Sequence, residues 1–66
     1  MTSGEIIMFS EAKRFGFIQS ESLQENAFFH LSDCEFDAPP RIGARVEFEL
    51  TAAAKGPRAR GVRFLD

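Results

Sequence analysis

At 66 residues with 44% hydrophobic content, the chain has room for one domain with a thin core, and none of its apolar runs is long enough to span a bilayer. Its formal net charge of −2 argues against a partner attracted by bulk charge alone, and its single cysteine excludes an internal disulfide. That charge is uneven: residues 1–40 carry Lys13 and Arg14 against seven acids, whereas residues 41–66 carry six cations against three.

Period-2 alternation runs through the chain, and no stretch keeps a helical period. The opening "MTSGEIIMFS" lacks a charged segment followed by a long apolar one, so it is not a signal peptide. Together with the lone Cys34, this leads us to expect a cytoplasmic protein. "EIIMFS" (5–10) reads as the first strand, "EAKR" (11–14) as a turn and "RFGFIQS" (14–20) as the second strand. Polar residues 20–26 form a loop before a third strand, "NAFFHLS" (26–32). "DCEFDAPPRIG" (33–43) carries two prolines and predicts a long excursion from the sheet. The fourth strand, "ARVEFELT" (44–51), has Ala44, Val46, Phe48 and Leu50 on one face and Arg45, Glu47, Glu49 and Thr51 on the other. After the turn "KGP" (55–57), "RARGVRFL" (58–65) reads as the fifth. Five short strands with one apolar face predict an all-β, antiparallel barrel, because closure removes exposed sheet edges.

The placement of the phenylalanines decides what such a barrel can do. In the third strand Ala27, Phe29 and Leu31 form a wholly apolar inner set, leaving Asn26, Phe28 and His30 outside. The second strand alone is ambiguous, with Gly16 and Ile18 on one face and Phe15, Phe17 and Gln19 on the other. Crowding decides between them: Phe9, Phe29, Phe48 and Phe64 already compete for a very small interior, so Phe15, Phe17 and Phe28 are expected outside. Exposed rings beside cations suit stacking by unpaired nucleobases, at roughly 1–3 kcal/mol per base. Lys13, Arg14, Lys55 and Arg58 are the cations available to phosphates.

"KRFGFI" followed by "AFFHLS" resembles the paired ribonucleoprotein motifs of the cold-shock domain, written close to K-G-F-G-F-I and V-F-V-H-F. "GARVEFEL" and "KGPRA" extend the resemblance to the family's fourth strand and to its last turn, so that it covers nearly the whole chain. It implies a five-stranded antiparallel barrel of the oligonucleotide/oligosaccharide-binding (OB) type over residues 1–66. It also implies binding of single-stranded RNA or DNA and a role as an RNA chaperone or cold-shock-type regulator. Carried over residue by residue, the implied binding set is Met8, Phe9, Phe15, Phe17, Phe28 and His30, with Lys13 and Lys55 toward the backbone. Arg58 falls at a polar base-contacting position, and Phe36 stands for the loop aromatic used as a flap. The first strand departs from the family's K-W-F-N, reading Ile7-Met8-Phe9-Ser10, so one lysine and the largest stacking ring are absent. Leu31 replaces another aromatic and Arg14 replaces a glycine.

The competing reading is a reduced barrel of the same family serving as a protein-interaction module, motivated by the missing tryptophan and the acidic first 40 residues. An enzyme is not expected, because His30 has no carboxylate or hydroxyl partner at a motif spacing and no phosphate loop is present. One cysteine and one histidine are too few for structural zinc, so neither metal nor cofactor is expected. Cys34 reads as a small apolar filler. The oligomeric state is not encoded in any of these patterns.

Overall fold

The computed structural model describes residues 1–36 and 38–65; Asp37, within the excursion expected over 33–43, and Asp66 lie outside the described residues. Five strands form: β1 (Thr2–Ser10), β2 (Phe15–Gln19), β3 (Ala27–His30), β4 (Arg45–Ala53) and β5 (Gly56–Phe64). They close into a barrel in the order β1-β2-β3-β5-β4. The β1–β2, β1–β4, β2–β3 and β4–β5 ladders are antiparallel. Closure is not: β3 meets β5 in parallel, with Phe28 opposite Arg58, and a further parallel bridge joins Cys34 to Val62. The barrel is therefore mixed rather than wholly antiparallel. The cause is connectivity, since the long excursion carries the chain across the barrel before the β4–β5 hairpin returns.

Alternation sorts the side chains. Ile6, Ile18, Ala27, Phe29, Val46, Phe48, Ala59 and Val62 are all completely buried. Phe9, Ala44 and Phe64 pack half-buried against them. Two irregularities adjust the pattern. In β1 the register passes from Ile6 opposite Ile18 to Met8 opposite Phe17, which makes Ile7 the extra residue of a bulge. Without it, period 2 would carry Met8 inward with Ile6 and turn Phe9 outward. In the β4–β5 ladder the register passes from Glu47 opposite Arg63 to Glu49 opposite Arg60, so β5 carries the extra residue. Gly61, at φ 60, supplies the left-handed backbone there.

Two residues expected inside are not. Leu50 is 40% exposed, because β1 covers β4 only as far as Phe48, its partner at Thr2. Leu31 is half-buried, because β3 stops at His30 and residues Leu31–Asp33 turn as one 3-10 turn. His30 caps that turn: its Nδ1 accepts the Ser32 backbone N–H at 3.1 Å, the part usually played by Ser or Asp.

Arg14 closes the β1–β2 turn at φ 60, the left-handed region that disfavours a Cβ. Its N–H donates to the Ser10 carbonyl at 2.7 Å, and its carbonyl accepts the Leu31 N–H at 2.9 Å, so the geometry is held on both sides. Left-handed backbone costs a non-glycine residue about 1–2 kcal/mol, and glycine loses about 0.5–1 kcal/mol more chain entropy on folding. The balance favours glycine by up to about 1.5 kcal/mol. Arg14→Gly is therefore expected to raise Tm by a few degrees, since about 1 kcal/mol moves a domain of this size by about 4–8 °C. A thermal melt checks this, and an unchanged or lowered Tm removes the strain from Arg14.

Candidate nucleic-acid interface

Gly16 points into the barrel, where a Cβ would stand 2.8 Å from Phe29 Cζ and 2.3 Å from the Met8 carbonyl oxygen. With Gly16 inward, its neighbours Phe15 and Phe17 must face outward. With Phe29 inward on β3, Phe28 and His30 must do the same. Register aligns the two sets, placing Met8, Phe17, Phe28 and Arg58 in one row across β1, β2, β3 and β5. Ser10, Phe15 and His30 form the next row.

The three rings lean on one another. Phe15 and Phe28 lie 5.5 Å apart at 27°, and Phe17 meets both edge-on, at 6.0 Å from Phe15 and 5.9 Å from Phe28. Each is half-buried rather than fully exposed. Met8, 37% exposed, continues the face on β1. Phe17, Phe28, Lys55 and Arg58 line one shallow concavity that runs toward the β4–β5 turn. Lys13 lies exposed in the turn at the Phe15 end, its backbone N–H donating to Ser10 Oγ at 3.3 Å.

His30 borders the face with one nitrogen committed. Nδ1 accepts from the Ser32 backbone and lies 2.9 Å from Ser32 Oγ, which leaves the ring proton on Nε2 as a donor. On the same β3–β5 side, Arg58 is held by Asp33, with its guanidinium carbon 5.5 Å from the Phe28 ring centroid. Cys34 lies beside Asp33 below this border. Burial first, and Asp33 second, push its thiol up to about 12, and the protonated Sγ donates to the His30 carbonyl at 3.4 Å.

Two of the sequence-derived candidates lie away from this cluster. Phe9, turned inward by the Ile7 bulge, stacks parallel on Phe29 with centroids 6.1 Å apart. Phe36 stacks on Phe64 at 4.5 Å and meets Phe29 edge-on at 6.3 Å, so its ring belongs to the packing around the core rather than to the face. Conversely, Asp33 was not among the candidates. It lies 25 residues from Arg58 in the chain, and only the parallel closure of β3 on β5 brings the two together. Among the described residues no cluster of three or more His, Cys, Asp or Glu could hold a metal, and no helix is long and apolar enough to cross a membrane.

A closed five-strand barrel of the OB type with an aromatic patch on one outer face defines the class. Residues 2–65 match the family described as the "'Cold-shock' DNA-binding domain". The chain belongs to the cold-shock domain family, a family of nucleic-acid-binding domains. It is 41% identical over 61 residues to the cold shock-like protein CspE of Escherichia coli (strain K12), covering 89% of this chain and 88% of that protein. A cold shock-like protein of Aquifex aeolicus is 36% identical over 64 residues, covering 94% and 91% respectively. Cold shock-like protein CspA of Stigmatella aurantiaca is 38% identical over 67 residues, 98% of each chain. Among solved structures, "drosophila Unr CSD456" shares the fold with a TM-score of 0.83 at 24% identity; the match takes in 98% of this chain and 26% of that longer one.

The two faces of the barrel predict opposite phenotypes for two phenylalanines. Phe29→Ala opens a cavity in the core and is expected to cost about 3–5 kcal/mol, close to the whole stability of a domain this small. Phe17→Ala opens no interior cavity and loses two edge contacts, to Phe15 and Phe28, at about 0.5–1.5 kcal/mol each. Paired thermal melts decide: a folded Phe29→Ala beside an unfolded Phe17→Ala reverses the faces.

Proposed function

We propose that the protein binds single-stranded RNA or DNA by stacking unpaired bases on the Phe15–Phe17–Phe28 face, and that it acts as an RNA chaperone of the cold-shock type. One observation carries this reading: three phenylalanines in mutual contact lie on the outside of a barrel whose interior is already filled. In a domain with so little core, rings left half in water return less stability than buried ones would, which supports a face kept for a ligand. Met8 and His30 extend the surface, and Lys13 and Lys55 serve the phosphates.

Stacking has the right magnitude for this task. A base on an aromatic ring gains about 1–3 kcal/mol, against about 1.4 kcal/mol for an average base-pair step. Binding therefore competes with short, unstable stems and leaves long duplexes intact. Because the chain is mildly acidic, little of the affinity comes from counterion release, and the salt dependence is shallow. An amide chemical-shift titration with a short single-stranded pyrimidine oligonucleotide tests the reading and maps the face at once. Shifts confined to residues 8–17, 28–30 and 55–58 support it. No shift at any salt concentration favours a protein-interaction module instead.

Two further outcomes follow from stacking. An unlabelled duplex is expected to compete poorly with a labelled single strand, because paired bases cannot reach the rings. Equal competition by the duplex sinks the mechanism. Met8 stands on the outer row beside Phe17, where the family has tryptophan. Met8→Trp is expected to tighten binding by about 1–3 kcal/mol and to add a fluorescent reporter to a chain that has neither Trp nor Tyr. An affinity unchanged in a normally folded Met8→Trp variant removes residue 8 from the surface.

A further inference from the structure

An ion pair is built into the β3–β5 border of the aromatic face. One carboxylate oxygen of Asp33, Oδ2, accepts from Arg58 Nη2 at 2.5 Å and from Arg58 Nε at 3.1 Å. The Asp33 side chain is only 14% exposed and that of Arg58 is 40% exposed. The guanidinium carbon meanwhile stands 5.5 Å from the centroid of Phe28, the ring at the centre of the outer row. Arg58 is thus anchored twice, by a carboxylate and by a ring.

This arrangement changes what the arginine can do. A free arginine at the rim of a nucleic-acid face is drawn to phosphates, and each such contact releases counterions from the strand. Here the charge is compensated before any ligand arrives. With Nε and Nη2 committed to Asp33, only the outer N–H groups of Arg58 remain for a phosphate, and leaving the largely covered carboxylate altogether is costly. A planar guanidinium also stacks on flat π-systems, and its position beside Phe28 offers a base one more surface. The Asp33 carboxylate in turn repels the phosphate backbone from this border.

We propose that Asp33 is a positioning residue that converts Arg58 from a phosphate-binding cation into a charge-compensated continuation of the base-stacking face. The proposal rests on the single-strand reading above and adds a determinant to it: at the β3–β5 border the strand presents bases, not phosphates. Asp33 therefore lowers overall affinity at low salt and sharpens the preference for unpaired bases.

Salt titration of binding separates this from a merely structural ion pair. The probe is an end-labelled, single-stranded pyrimidine oligonucleotide, measured with the unsubstituted protein, Asp33→Asn, and the double variant Asp33→Asn with Arg58→Ala. Releasing Arg58 in Asp33→Asn is expected to steepen the slope of log K against log salt by about 0.7, the value of one added phosphate contact on a single strand. The double variant is expected to return to the original slope with affinity about fivefold lower at every salt, the smaller end of the worth of one stacked base. An unchanged slope in Asp33→Asn, or a slope about 0.7 shallower in the double variant, overturns the proposal, because Arg58 then already serves a phosphate. The double variant leaves no unpaired charge, so it decides alone if Asp33→Asn does not fold. Failure of the unsubstituted protein to bind at any salt overturns the single-strand reading itself, and is thereby distinguished from failure of the Asp33 proposal alone.

Discussion

The contact between Gly16 and Phe29 is the constraint on which the rest of the molecule depends. Any Cβ at position 16 would overlap the Met8 carbonyl and the Phe29 ring, at 2.3 and 2.8 Å. The missing side chain is therefore space already used by that ring, which lies completely buried in a thin interior. Around it the other large rings arrange themselves, Phe9 parallel to it, Phe36 edge-on, and Phe64 stacked on Phe36. The same contact fixes the outside. Strand alternation leaves Phe15 and Phe17 no inward position once Gly16 holds it, and Phe28 and His30 none once Phe29 does. Core closure and the aromatic face are thus one packing decision seen from two sides.

Alternation made much of this legible from the chain alone. It separates Val46 and Phe48 from Arg45 and Glu47 without reference to any partner, and it separates Phe29 from Phe28 in the same way. What it cannot carry is a property of pairing. The Ile7 bulge exists only in the register between β1 and β2, yet it reverses the parity of everything after Ile6, sending Phe9 in and Met8 out. Leu50 sits on the correct side of its strand, but nothing covers it, because β1 begins opposite Phe48. The ion pair of Asp33 with Arg58 depends on a parallel closure that no local pattern encodes. Phe36 illustrates the remaining gap: the family resemblance makes it the loop aromatic used as a flap, whereas its packing on Phe64 depends on the path of the long connection.

Charge and aromaticity are divided in a way that suits stacking. The C-terminal segment holds most of the cations, but Arg63 is paired with Glu47 at 2.7 Å and Arg58 with Asp33. Lys13 and Arg14 at one end of the aromatic patch and Lys55 at the other remain as exposed cations. Under the proposed function, a face with few free cations and three contiguous rings would discriminate by whether bases are available, since phosphates are common to single strands and duplexes alike. The missing tryptophan shifts the balance further, because a thioether at residue 8 packs adaptably but without a flat surface.

The short stretch His30–Glu35 ties stability to the geometry of the aromatic face. His30 ends β3 by capping the turn through Nδ1, and its carbonyl accepts the Cys34 thiol. Asp33, inside the same turn, sets the Arg58 guanidinium beside Phe28. Cys34 then bridges to Val62, and the Glu35 N–H donates to the Val62 carbonyl at 2.7 Å, sealing β3 against β5. The residues that close the barrel therefore also place the two polar groups bordering the rings. β3 itself is only four residues long and faces Arg58 as its single strand partner on β5. So short a seam needs the turn to hold it, and any change in how the turn is capped must move the edge of the aromatic face as well. For this reason the border at His30 and Asp33 cannot be tuned independently of the fold, whereas Met8, on the far side of the rings, can.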